Sequence, residues 1–142
     1  MGKILISACL VGERCRYDGE SKPNKEIIDF CNKNEVILVC PETLGGLTIP
    51  REPSEIQEDK VISRSGHDVT KEFKKGAMKA LEIALDNGVT LAILKARSPS
   101  CGHNEVYDGS FTGTLVKGEG LFARLCRENG IEVIDEEEFK NR

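Results

Sequence analysis

The sequence predicts an α/β domain, a mostly parallel sheet with helices on both faces, and three observations lead there. Short apolar runs rich in Ile, Leu and Val ("KILIS", "EVILV", "VTLAIL") lack the polar–apolar alternation of half-exposed strands and read as strands buried on both sides. Amphipathic segments of helical period separate those runs. Gly, Asn and Pro punctuate the joins. Strands alternating with helices imply βαβ units and hence a parallel sheet.

Taken in order, residues 3–8 form the first buried strand. Residues 24–34 follow as a short amphipathic helix in which Ile27, Phe30 and Cys31 share a face. Residues 35–40 are the second strand. Residues 41–66 are expected to be a long irregular stretch, and loops of that length usually carry function. Residues 68–87 are the clearest helix: Asp68 or Thr70 can cap it, Phe73, Ala77, Ala80, Leu81, Ala84 and Leu85 make its apolar stripe, and Gly88 stops it. Residues 89–94 are the third buried strand, and "VYDGSFTGTL" reads as a hairpin or glycine-rich loop. Residues 118–129 are the last main helix, with Leu121, Phe122, Leu125 and Cys126 on one stripe, and residues 131–134 the final strand. The tail "DEEEFKNR" is expected to be a solvated helical turn without chemistry. The architecture implied is a compact three-layer, Rossmann-like or flavodoxin-like unit, expected to be a single domain over residues 1–142 with no second domain.

A chain of 142 residues with a net charge of −4 lacks the basic face that broad nucleic-acid or acidic-membrane binding needs. No apolar run approaches the roughly 20 residues of a bilayer span, and "KILISACLVG" is too short for a signal peptide. A cytoplasmic protein is therefore expected, and six cysteines there call for metal binding or chemistry rather than disulfides. Cys31 and Cys126 lie on apolar helical faces and read as core, since a free thiol packs as a small hydrophobe. Three of the other four sit at strand ends. Cys9 follows the first strand, with Cys15 a few residues on. Cys40 follows the second, and Cys101 lies in "SPSCG" after the third. In parallel α/β sheets ligands bind outside the carboxyl ends of the strands, so neighbouring strands would bring these thiols together.

Several chemistries can be tested against that pattern. A phosphate loop of the Cys-x₅-Arg kind fails in register, because the position six after Cys9 is Cys15, with Arg14 and Arg16 on either side. The dinucleotide fingerprint G-x-G-x-x-G and the P-loop are both absent. Structural zinc favours closely spaced cysteine pairs, whereas these thiols are spread over most of the chain. An iron–sulfur cluster tolerates ligands from distant loops, and three thiolates on a four-iron cluster leave one iron open to substrate.

The segments "ISACLVGERCRYDG", "VCPETLGGLTIPREPSEI", "GHDVTKEF", "LKARSPSCG" and "YDGSFTGTLVKGEG" resemble the bacterial thiouracil desulfidase family, formerly a domain of unknown function, in the same order from about Lys3 to Val133. The resemblance implies a [4Fe–4S] cluster held by Cys9, Cys40 and Cys101, with Cys15 as the competing ligand or a thiol beside them. It implies that Glu42 and Ser100 stand near the open iron, Ser98 being the alternative hydroxyl. Longer relatives in that family add a second domain.

The implied reaction exchanges a thiocarbonyl sulfur for oxygen from water. The iron acts as a Lewis acid, Glu42 as base or acid, and Ser100 as substrate anchor or proton relay. A small thiolated base is the partner expected, with no nucleic acid, membrane, nicotinamide or redox partner. Arg51 and Arg97 are expected to bind polar substrate groups, because a guanidinium fork matches carbonyl or phosphate oxygens. Asp18, Lys22, His103 and Asp108 are further candidates for the pocket wall. A cluster- or zinc-binding module without catalysis is the alternative reading.

Overall fold

The computed structural model describes residues 3–15, 17–19, 21 and 23–140. Its elements run β1 (Ile4–Ser7), a 3₁₀ turn (Ala8–Val11), α1 (Lys25–Cys31), β2 (Val36–Val39), α2 (Pro41–Leu44), β3 (Ser54–Gln57), β4 (Lys60–Ser63), α3 (Thr70–Asp86), β5 (Leu91–Leu94), β6 (Glu105–Tyr107), β7 (Leu115–Lys117), α4 (Leu121–Glu128), β8 (Glu132–Asp135) and α5 (Glu136–Lys140).

The four apolar runs become one parallel sheet in the order β2-β1-β5-β8. Ile4 pairs with Val36 on one side and Leu91 on the other, and Leu91 pairs onward with Glu132. Both faces are covered, as the unbroken apolar runs require. On one face, Leu5, Ala92, Leu94 and Val133 pack against Ala77, Ala80 and Ala84 of α3 and Phe122, Ala123 and Cys126 of α4. On the other, Ile6, Ile93 and Ile134 meet Leu10, Ile27 of α1, and Phe139 of α5. Phe30 and Phe139 close that layer edge to face, with ring centroids 5.4 Å apart. The architecture is the α/β sandwich that the sequence predicts.

Strand order places the functional edge. From β1 the chain turns through α1 to β2 on one side, whereas β5 lies on the other side of β1. The segment leaving β1 packs on one face, and the turn and α4 leaving β5 pack on the opposite face. A crevice must open between such diverging connections, at the carboxyl ends of β1 and β5.

Three expectations need correction. Residues 41–66 are not irregular throughout. Pro41, pre-set for a first helical position, starts the single turn α2. The β3–β4 hairpin then pairs Ile56 with Val61, strands of mixed polarity too short to show a clear period. The tail is not a solvated turn either. Asp135 is buried, its Oδ1 accepts the Glu137 and Glu138 backbone N–H groups, and Glu136 reaches back to β5. Cys126 is fully buried, and burial pushes its thiol up to about 12. Cys31, by contrast, is only partly buried at the margin of its cluster.

Candidate active site

A cavity of about 790 Å³ opens where the strand order predicts, and Cys9, Cys15, Cys40 and Cys101 all line it. All six cysteines are free. Each thiol is placed by a different device. Cys9 sits in the 3₁₀ turn directly after β1, and Gly12 (φ 100°) ends that turn in the left-handed region that glycine enters without penalty. Cys40 is the residue before α2: its carbonyl accepts from Leu44 N–H (3.0 Å) and from the Thr43 hydroxyl (3.1 Å), and its thiol points to the Cys15 carbonyl (3.7 Å).

Cys101 is fixed most thoroughly. The first N–H groups of a helix have no partner within it. Here Leu121 N–H donates to Pro99 O (2.9 Å), while Phe122 and Ala123 N–H donate to Ser100 O (2.9 and 3.1 Å). The Ser98 hydroxyl oxygen accepts from Ser100 N–H (3.1 Å) and Cys101 N–H (2.7 Å). Gly120 permits this approach. A Cβ there would stand 2.4 Å from the Ser100 carbonyl carbon.

The thiols sense one another. Cys15 is pulled down by its hydrogen bond with Cys40, but the bond with Cys9 and burial outweigh that and hold it at about 11. Cys40 is pushed up by the bond with Cys15 and by burial. Burial raises Cys101 strongly, against a hydrogen bond with Ser7, and the charges of Cys40 and Glu42 add to the rise. All three prefer the neutral thiol, and a cationic group or metal is what would stabilise their thiolates. Among the described residues no group of three or more His, Cys, Asp and Glu is arranged to hold a single metal ion. A wide cavity with soft sulfur donors on three separate strand ends fits a bulky iron–sulfur cluster better. The buried Ser100 Oγ (1% exposed), beside Cys101 and without a hydrogen-bond partner among the described residues, is a further donor that such a group could accept from.

The carboxylate predicted from the sequence is at the site. Glu42, in the first turn of α2, lines the cavity. Its Oε1 accepts from Arg51 Nη2 (2.9 Å) and Nε (3.2 Å), and its Oε2 makes no protein hydrogen bond among the described residues. Arg51 also donates to Cys15 O (3.0 Å) and Thr48 O (2.9 Å). Its fork is therefore engaged in holding Glu42 and the Cys15 loop, not free for substrate.

Arg97 lines the cavity too, yet its Nη2 is drawn outward to Glu137 (2.9 Å). Ser98 lines the wall, whereas Ser100 does not. His103 pairs with Glu138 (3.1 Å) beside a separate 180 Å³ cavity. Asp18 and Asp108 do not line the main cavity, and Lys22 lies outside the described residues.

Sequence reasoning missed three contributors. Ser7, the last residue of β1, accepts from Lys95 N–H (2.9 Å) and touches the Cys101 thiol. Lys95, directly after β5, and Glu136, directly after β8, form an ion pair (2.9 Å) at the cavity wall. The signal was available, because the rule that drew attention to residues following strands applies equally to these two.

Comparison with known proteins gives the family and the fold. Residues 4–138 match the 2-thiouracil desulfurase family. An uncharacterized protein, YbbK, of Bacillus subtilis (strain 168) is 38% identical over 148 residues, covering 97% of this chain and 98% of that protein. The solved structure of the [4Fe-4S]-dependent thiouracil desulfidase TudS is 41% identical, superposes with a TM-score of 0.93, and covers 99% of this chain and 95% of TudS. The chain belongs to the 2-thiouracil desulfurase family.

Proposed function

We propose that this member of the family is an iron–sulfur-dependent desulfidase. It would replace the thiocarbonyl sulfur of a 2- or 4-thiouracil-like base by oxygen from water, releasing sulfide without net electron transfer. The observation that carries the reading is the convergence of Cys9, Cys40 and Cys101 from three strand ends on one cavity that also holds Glu42. The likeness to TudS over nearly the whole of both chains supports the cofactor and substrate class.

Cys9, Cys40 and Cys101 would hold the [4Fe–4S] cluster, and Cys15 would stand beside it as a fourth thiol. When bound, the cluster supplies a Lewis-acidic iron that polarises the C=S bond. The protein's own groups do the rest. Arg51 clamps Glu42 through Oε1, and Oε2 keeps no protein hydrogen bond among the described residues. That oxygen is available to take a proton from the attacking water and later to return one to the departing sulfur. Ser98 shapes the turn that presents Cys101, and Ser100 supplies a buried hydroxyl in the same turn. The balance is C=S plus water giving C=O plus hydrogen sulfide, so neither a reductant nor a nicotinamide is needed.

Anaerobic purification tests the reading. The expected protein is brown and carries about four iron and four labile sulfide per chain. It releases sulfide from 2-thiouracil or 4-thiouracil without added reductant, and the uracil formed takes its oxygen from ¹⁸O-labelled water. A colourless zinc protein, or turnover that requires an electron donor, would overturn it.

A further inference from the structure

We propose that Lys95 binds the carbonyl oxygen of the substrate ring that is not exchanged, and that Glu136 is the positioning residue that aims it. This rests on the desulfidase reading and adds a substrate-binding group to it.

The observation is an ion pair in an unusual place. Lys95 Nζ lies 2.9 Å from Glu136 Oε2, with side chains only 19% and 16% exposed, at the carboxyl ends of β5 and β8 and on the wall of the cysteine cavity. Buried pairs are weak contributors to stability, because desolvating two charges offsets their attraction. A pair held at a cavity wall therefore calls for another reason. Glu136 is itself anchored, its Oε1 accepting the Ala96 N–H at 2.7 Å. Lys95 is anchored at both ends: its N–H donates to Ser7 Oγ (2.9 Å), and its Nζ to Ala96 O (3.2 Å).

An ammonium has three N–H donors. Two are accounted for by Glu136 and Ala96, and the third has no protein partner among the described residues. The two guanidinium groups expected to bind substrate are both engaged, Arg51 by Glu42 and Arg97 by Glu137. Lys95 is thus a cation on this wall with a donor left to offer, whereas Arg64, also on the wall, lies over the Phe111 ring at 5.9 Å. Glu42 belongs to the turn after β2, and Lys95 lies beyond β1 from it in the sheet. A ring held by Lys95 through one carbonyl would present its thiocarbonyl toward the thiols and Glu42.

The test compares two substrates. 2-Thiouracil carries the second carbonyl, and pyrimidine-2-thione lacks it. A site that donates to a carbonyl discriminates against the analogue without one, and a hydrogen bond from a charged donor is worth about 10- to 100-fold. Lys95→Met should lower kcat/KM for 2-thiouracil by that factor and leave pyrimidine-2-thione unchanged, while Lys95→Arg retains part of the discrimination. Titration of uracil into the cluster-loaded protein gives a readout independent of turnover, and Lys95→Met should weaken it by the same factor. Should Lys95→Met fail to fold or load, Glu136→Gln carries the test. It keeps an acceptor for Ala96 N–H but removes the charge that aims Lys95, and the loss should again be confined to ligands with the second carbonyl. An equal fall for both substrates, or unchanged uracil affinity, would overturn the proposal. If wild type releases no sulfide from either compound, the desulfidase reading fails, and the uracil titration still decides the role of Lys95.

Discussion

The turn carrying Cys101 and the loop carrying Cys9 and Cys15 face the same cavity but are built differently. The Cys101 turn is locked by backbone: three α4 N–H groups end on its carbonyls, Ser98 ties two of its own N–H groups, and Gly120 lies against Ser100. The first loop has fewer backbone ties. Asn24 N–H donates to Leu10 O (2.8 Å), and Glu13 N–H reaches Ala8 O (3.3 Å). Among the described residues Arg51 adds to these: its backbone N–H donates to Tyr17 O (2.7 Å) and its side chain to Cys15 O (3.0 Å). Cys101 is thus placed by backbone packing, and Cys15 across the cavity with the help of a side chain from another loop.

The largest effects should come from the thiols themselves. Cys9→Ser, Cys40→Ser and Cys101→Ser should each abolish or cripple cluster binding, because in the proposed three-ligand set each supplies its iron's one protein thiolate. Cys15→Ser should retain iron. Iron and labile sulfide per chain are the measurement. Loss of iron in Cys15→Ser beside a normal content in Cys9→Ser would exchange the roles of the two thiols in the first loop.

Next in size is Glu42, the residue through which Arg51 links the two regions. Glu42→Gln keeps an oxygen for Arg51 and removes the titrating carboxylate. Sulfide release should fall about 10²- to 10⁴-fold at matched cluster content. Near-normal turnover would remove Glu42 from the chemistry, and loss of iron would make it a support of the loop.

Gly120→Ala probes the locked region. Its Cβ would stand 2.4 Å from the Ser100 carbonyl carbon and 2.8 Å from Cys101 N, backbone atoms that cannot move aside cheaply. Overpacking of this kind costs about 1–3 kcal/mol. Thermal unfolding of the metal-free protein should report that loss, and cluster retention should fall with it. Gly12→Ala, with open space around its Cβ but a φ of 100°, should strain only the first loop.

The contrast also explains what the sequence made legible. Buried parallel strands announce themselves by unbroken apolar runs, so the sheet, and with it the edge where Cys9, Cys40 and Cys101 line one cavity, could be read from local pattern. The β3–β4 hairpin could not, because "SEIQ" and "KVIS" are too short to show a period beside their prolines. Partners separated widely in sequence were also hidden. Nothing near Arg51 says that it clamps Glu42, and nothing in "DEEEF" says that Glu136 returns to the end of β5. Both pairings depend on how connections cross the sheet, and single-residue chemistry carries no trace of that.

The smallest predicted effect sharpens the comparison most. Arg51→Lys keeps the charge but not the fork, and one ammonium on a shorter, differently directed stem cannot reproduce donation to Glu42, Cys15 O and Thr48 O together. The backbone bond to Tyr17 survives, so the loop should loosen rather than unfold. Local opening is what amide exchange measures. Exchange in residues 13–15 and 17–19 should quicken by about tenfold, the loss of roughly one charge-assisted hydrogen bond. Amides of residues 100–102, tied to Ser98 and packed on α4, should keep the wild-type rate. Turnover should fall modestly, because Glu42 keeps its carboxylate but loses its clamp. Equal acceleration in both segments would show that the two thiol-bearing regions open as one unit, and the division between a fold-locked thiol and a side-chain-held one would be lost.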